Sequence, residues 1–134
     1  MSKITVFVNG CFDILHRGHI ELFKYASTCG NRLVVGIDSD EKVKKDKGKS
    51  RPHNCLKDRL EILKAIRYID EVVSFDSHSE LENLIKSYAP DILIVGSDWR
   101  GKEVIGEHYA KELKFFERID GYSTTQILEN SPNR

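Results

Sequence analysis

The sequence predicts an α/β fold: a doubly wound parallel sheet of about five strands, in a single domain over residues 1–134. Three observations predict it. The apolar runs are continuous rather than alternating, as strands buried on both faces require. Helix-length amphipathic segments separate them. The stretches richest in glycine, histidine and hydroxyl side chains stand where strands end and helices begin, which is where such sheets hold ligands.

The first strand is read at Ile4-Thr5-Val6-Phe7-Val8, with a helix through Ile20–Ala26 after it. Leu33–Ile37 is the second apolar run, Glu71–Phe75 the third and Ile92–Val95 the fourth. Leu56, Leu60, Leu63 and Ile66 mark a helical stripe from Leu56 to Ile66. Ser79–Tyr88 reads as another helix, with Ser79 as N-cap, Glu80 and Glu82 in the first turn, and Pro90 setting its end. Lys114-Phe115-Phe116 is a short fifth strand, Thr124–Glu129 a last short helix, and Asn130–Arg134 a polar, frayed end. Such alternation, with right-handed crossovers, is Rossmann-like.

Composition excludes several roles. Basic and acidic side chains both number 21, so no net field draws the chain to nucleic acid or an anionic membrane. Aromatic and basic residues do not interleave as in a nucleic-acid surface. No apolar run approaches the ~20 residues that span a bilayer. Met1-Ser2-Lys3 leads directly into a strand, so no signal peptide is expected. Three widely spaced cysteines, Cys11, Cys29 and Cys55, argue for reduced thiols in the cytoplasm rather than a disulfide framework.

The stretch from Asn9 to His19 places His16 and His19 on either side of Gly18, after a strand and at the mouth of a helix. A helix N-terminus there offers free N–H groups and partial positive charge. Two imidazoles so placed hydrogen-bond a polyphosphate and share its developing charge, and glycine at position 18 lets the backbone approach the anion. A fortuitous surface pair is the plain alternative. A metal site is another, although it wants a third ligand and only Cys11 and Asp13 are near. Gly10-x-Phe12-Asp13-x-x-His16-x-Gly18-His19 resembles the HxGH signature of the cytidylyltransferase-like nucleotidyltransferases. These enzymes move a nucleoside monophosphate from a triphosphate onto a phosphate acceptor and release pyrophosphate. The resemblance implies that Gly10, Cys11, Phe12, His16, Gly18 and His19 bind nucleotide, that His16 and His19 are catalytic, and that Asp13 serves the acceptor. It implies no nucleophilic role for Cys11, because the transfer needs no covalent enzyme intermediate.

Five lysines and one arginine fall within Lys42–Arg51. Charge runs of this kind are commonly solvated loops; here a mobile basic loop at the edge that carries the histidines would close over a triphosphate. Lys47-Gly48-x-x-Arg51-Pro52-x-Asn54 resembles the loop of the heptose-phosphate adenylyltransferase branch, which implies that Lys47, with Lys44 second, reaches the phosphates. Gly121-Tyr122-Ser123-Thr124-Thr125 is a glycine turn with three hydroxyls at a helix start, an anion cradle of which capping alone would need one. Preceded by Arg118, it resembles the family's Arg-x-x-Gly-x-Ser-Thr-Thr signature. That implies a catalytic Arg118, and Arg118, Ser123, Thr124 and Thr125 holding the triphosphate opposite the histidines.

Arg67-Tyr68-Ile69-Asp70-Glu71-Val72 resembles a segment that lies near the site and the dimer contact in the glycerol-3-phosphate cytidylyltransferase branch. Arg67 is therefore expected to bind the acceptor phosphate, although a cation at a helix C-terminus also suits the dipole. Arg59, eight residues earlier on nearly the same face, is a weaker candidate. Gly96-Ser97-Asp98-Trp99-Arg100-Gly101-Lys102 follows the fourth strand and resembles the same branch. Asp98 and Trp99 are assigned to the nucleotide. Trp99 packs on a base, covers the site, or plugs the core; Asp98 accepts from the base or ribose, or caps a turn.

The resemblance spans residues 4 to about 129 and divides between branches. It favours transfer from CTP to a phosphorylated polyol such as glycerol 3-phosphate. The alternative is an ATP-dependent adenylyltransferase on a sugar 1-phosphate, of ADP-heptose type. A non-catalytic nucleotide-binding module is the third reading, disfavoured by the intact motifs. Mg²⁺ is expected with the nucleotide and no protein metal ligand is assigned. A homodimer is implied by the resemblance. The reaction is in-line attack by the acceptor phosphate on the α-phosphorus, so orientation and charge neutralisation do the work.

Overall fold

The computed structural model describes residues 3–117 of the chain. Its strands are β1 (Thr5–Gly10), β2 (Arg32–Asp38), β3 (Glu71–Phe75), β4 (Ile92–Gly96) and β5 (Glu112–Phe116). Its helices are α1 (Arg17–Cys29), α2 (Asp40–Lys47), α3 (Leu56–Lys64) and α4 (His78–Tyr88), with 3₁₀ turns at Ser97–Trp99 and Glu107–Tyr109. The sheet runs β3-β2-β1-β4-β5 and every pairing is parallel. The predicted doubly wound sheet is therefore the observed one.

Alternation along each strand divides the core into two layers. Val6 and Val8 of β1, with Leu33, Val35 and Ile37 of β2, face Phe23 and Ala26 of α1 and Leu63 of α3. Phe7, Val34 and Leu93 face the other way, onto Leu81 and Ile85 of α4. Register keeps these layers aligned: Phe7 lies beside Val34 on one side and Leu93 on the other. The chain builds outward from β1 to β2 and β3, then returns to place β4 and β5 on the opposite side of β1. The order reverses between β1 and β4, and it is outside the carboxyl ends at such a reversal that open α/β sheets bind ligands.

Several boundaries differ from the sequence reading for identifiable reasons. The basic run is no open loop. Its first half is α2, capped by Ser39, whose Oγ accepts from the Lys42 N–H at 3.2 Å. Asp40 and Glu41 open that helix, Lys44, Lys45 and Lys47 close it, and buried Val43 anchors it. Lys42 is ion-paired to Asp38 at 3.2 Å and Asp46 at 2.6 Å. A serine cap, an acidic first turn and a basic last turn are helix signals legible in the sequence; the density of charge concealed them. The cap of α4 is Ser77, not Ser79: Ser77 Oγ accepts from Glu80 N at 3.1 Å, while Glu80 Oε1 accepts from Asp76 N. α3 stops at Lys64, two residues short of Ile66, and β5 begins two residues before Lys114. The helix expected at Thr124–Glu129 lies outside the described residues. No helix among the described residues is long and apolar enough to cross a membrane.

Candidate active site

The loop leaving β1 carries the histidine pair into α1. His16 is the N-cap, in extended conformation (φ −141°, ψ 177°), and its Nδ1 accepts from the Gly18 N–H at 3.1 Å. His19, three residues on, reaches back so that its Nδ1 accepts from the His16 N–H at 3.2 Å. This is a capping box made of two imidazoles. The rings stack at 3.9 Å between centroids and 30° between planes. A nitrogen that accepts a backbone N–H carries no proton, so each neutral ring has its proton on Nε2. Burial, with the neighbouring His16 and Lys47, holds the His19 pKa down at about 4. His19 is thus a neutral imidazole at pH 7. Gly18 serves this cap with its N–H.

Phe12 and Gly10 form the floor. Phe12 is buried, edge-on to His19 at 5.4 Å and to Phe23 at 5.2 Å. A Cβ on Gly10 would stand 3.0 Å from the Phe12 ring, so only glycine leaves the ring its place. Cys11 lies between them, half-buried. Burial raises its thiol pKa, against the opposing charges of Lys47 and Arg59, and a protonated thiol is no nucleophile.

Asp13, expected at the acceptor, is buried with both carboxylate oxygens engaged. Oδ2 accepts from Arg51 Nε at 3.0 Å and from His53 N at 2.7 Å; Oδ1 accepts from Asn54 N at 2.8 Å. Asn54 Nδ2 donates to the Asp13 carbonyl at 2.9 Å. Burial pushes the carboxyl pKa up, but the backbone donors of Asn54 and His53, with Arg51, outweigh it and hold the pKa below its ordinary value. In this structure Asp13 fastens the 51–54 segment beside the histidines.

Arg59 is not a surface ligand. It is 1% exposed and donates to the carbonyls of Asn54, Cys11 and Asp38 at 3.0, 3.0 and 2.8 Å, and to Asp40 Oδ1 at 2.7 Å. The sequence reading missed the Arg59 hub because its acceptors are mostly backbone carbonyls, which leave no mark in a sequence.

Lys47 ends α2 on an exposed turn, close enough for its charge to lower the pKa of both His19 and Cys11. Asp98 and Trp99 lie in the turn after β4, across the switch point from the histidines. Trp99 is 44% exposed, with Lys102 Nζ 5.9 Å above its ring, which excludes a core plug. Arg67 stands elsewhere. It lies in the connection entering β3, at the amino edge of the sheet, exposed and bonded to the Tyr68 hydroxyl at 3.0 Å. The parallel sheet separates it from the histidines of its own chain. Arg118, Ser123, Thr124 and Thr125 lie outside the described residues. Among the described residues, no three His, Cys, Asp or Glu gather to hold a metal ion.

The site is therefore a set of hydrogen-bond donors with the Lys47 cation nearby, at the carboxyl end of β1, an arrangement suited to anions. Known proteins match this chain over nearly all of it. The bifunctional protein HldE of Campylobacter fetus subsp. fetus (strain 82-40) is 48% identical over 127 residues, 95% of this chain and 28% of that protein. HldE of Helicobacter hepaticus (strain ATCC 51449 / 3B1) is 46% identical over 129 residues, 96% of this chain and 26% of that protein. The chain thus spans about a quarter of the length of these curated relatives. The crystal structure of the lipopolysaccharide core biosynthesis protein from Thermoplasma volcanium GSS1 superposes with a TM-score of 0.74 at 25% identity, covering 89% of this chain and 100% of that one. Pantothenate synthetase from Thermus thermophilus, at 12% identity and a TM-score of 0.64, covering 98% of this chain and 63% of that one, shares the fold alone.

The HldE relatives overturn the expectation of transfer from CTP to glycerol 3-phosphate. That expectation leaned on Arg67–Val72 and Asp98–Lys102, two short segments, of which the first lies at the opposite edge of the sheet from the histidines of its own chain, where Arg67 does not meet an acceptor held by them. Residues 7–130 match the family described as cytidylyltransferase-like, and this chain belongs to that family of nucleotidyltransferases.

Proposed function

We propose that the chain transfers AMP from ATP to a sugar 1-phosphate, of the ADP-heptose type, and releases pyrophosphate. The observation that carries the reaction class is the stacked His16–His19 pair, each ring locked with Nε2–H as its donor at the head of α1. The preference for ATP and a sugar phosphate rests on the likeness to HldE and on the Lys47-Gly48…Arg51-Pro52-x-Asn54 loop.

An oxygen of the acceptor phosphate attacks the α-phosphorus. The new O–P bond forms as the bond from the α-phosphorus to the bridging oxygen breaks, and pyrophosphate leaves with that electron pair. The acceptor is already an anion, so no general base is needed. His16 and His19 donate to phosphate oxygens, His19 as a neutral imidazole, and because their Nδ1 atoms are fixed by backbone N–H groups, no reorganisation is required as charge develops. Lys47, and on the family resemblance Arg118 with Ser123, Thr124 and Thr125, neutralise the β- and γ-phosphates. Gly10, Cys11 and Phe12 shape the floor, and Asp98 and Trp99 stand on the nucleotide's other side. A divalent Mg²⁺, held by the phosphates, would supply further neutralisation. We place the protein in the cytoplasm, in keeping with three free thiols at Cys11, Cys29 and Cys55, and as a homodimer on the family resemblance.

The test is pyrophosphate release with Mg²⁺, crossing ATP and CTP against a heptose 1-phosphate and glycerol 3-phosphate. Release with ATP and the heptose 1-phosphate is expected. Release that ignores the sugar phosphate, or none with ATP, overturns the proposal.

A further inference from the structure

We propose that Arg59 is a positioning residue: its buried guanidinium fixes the course of α2, and so the place of Lys47 relative to His16 and His19. What Lys47 does there rests on the nucleotidyl-transfer reading; where it stands does not.

A guanidinium this deeply buried is costly to desolvate, and an apolar side chain of similar volume would fill the space as well. What the apolar side chain lacks is the planar fork of donors. Here the fork addresses four acceptors on three stretches of chain. Nη1 donates to Cys11 O at the exit of β1 and to Asp38 O at the end of β2. Nη2 donates to Asp40, the first residue of α2, and Nε to Asn54 in the segment that Asp13 fastens. Arg59 thus joins the loop that carries the histidines to the start of the helix that carries the lysine.

The far end of that span is held too. Only residues 48–50 separate Lys47 from Arg51, whose Nε is 3.0 Å from Asp13 Oδ2, and Asp13 is three residues before His16. Between the two anchors α2 is stiffened by buried Val43 and by Lys42 bonded to Asp38 and Asp46. The eight-residue helix is thus a short rigid arm, gripped at its root by Arg59, with Lys47 at its tip. Lys47 is exposed and makes none of the ion pairs that hold the arm. The depressed His19 pKa, to which the Lys47 charge contributes, agrees with that placement and provides a reporter of it.

A double-mutant cycle tests the inference. Arg59→Met, which keeps bulk and removes the fork, is expected to lower kcat for pyrophosphate release about ten- to a hundredfold, with less change in KM. In the Lys47→Ala background the same change is expected to cost nothing further. Losses that multiply in the double variant overturn the proposal. The second readout is independent of the reaction: the His19 imidazole midpoint, followed by NMR, should rise from about 4 in Arg59→Met. A wild-type protein without activity would count against the functional reading, while an unmoved midpoint would count against the role of Arg59. Should Arg59→Met fail to fold, Asp40→Ala removes the grip from the helix side, with the same two outcomes expected.

Discussion

At the scale of single residues, the histidine pair shows how a capping requirement sets chemistry. A helix start leaves backbone N–H groups in need of acceptors, and here two imidazoles supply them through Nδ1. The same bonds fix the tautomer, so each neutral ring carries its proton on Nε2. His19→Ala should therefore cut turnover by about a hundred- to a thousandfold, while loss of the cap costs only about 1 kcal/mol of stability. Steady-state kinetics beside a urea titration separates the two effects. The low His19 pKa has its own consequence. Between pH 6.5 and about 4 the unfolded chain binds a proton at this position that the folded chain refuses, so stability falls as pH falls through that window and is constant above it. The full effect is about 3 kcal/mol, read as a drop in urea midpoint from pH 7 to pH 4.5 that His19→Gln removes.

Among the elements, the 51–54 segment and α4 illustrate opposite uses of local structure. The segment has no regular backbone pairing of its own and depends on Asp13 for four hydrogen bonds, one of them through the carbonyl. Asp13→Ala removes three of these and leaves Arg51 without its carboxylate; a loss of about 3 kcal/mol is expected, measured by chemical denaturation. Helix α4 ends in Ala89, a non-glycine residue in the left-handed region at φ 43°, ψ 58°, with its N–H on Ile85 O at 2.8 Å. Ala89→Gly should raise stability by about 0.5–1 kcal/mol, because glycine takes that conformation without the Cβ clash. A lower midpoint in the same titration would refute it. Only the first of these two features bears on the site.

For the molecule as a whole, the place where the strand order reverses decides which groups meet at one edge of the sheet. The exit of β1 brings the histidines and the exit of β4 brings Trp99 to the same edge. Trp99 is the only tryptophan in the chain and is 44% exposed, so its fluorescence reports the turn after β4. ATP with Mg²⁺ should shift or quench that emission in a saturable manner, and an unchanged spectrum at saturation would remove Trp99 from the nucleotide's surroundings. The sequence by itself determined the sheet and the place of the histidine pair at the head of α1. Continuous apolar runs admit few environments other than a strand buried on both faces, and the motif is contiguous, so spacing alone carries it. The ordered helix α2 was equally written in Ser39, Asp40 and Lys47, but its charges read as solvation. Only the tertiary structure decided the rest. It sent Arg67 to the amino edge and Arg59 into the interior, though both sit near the same helix, and it turned Asp13 toward its own neighbouring segment. The reason is physical: the partners of Arg59 and Asp13 are largely backbone groups brought together by crossovers, and a backbone carbonyl or N–H is the same at every position until the fold has placed it.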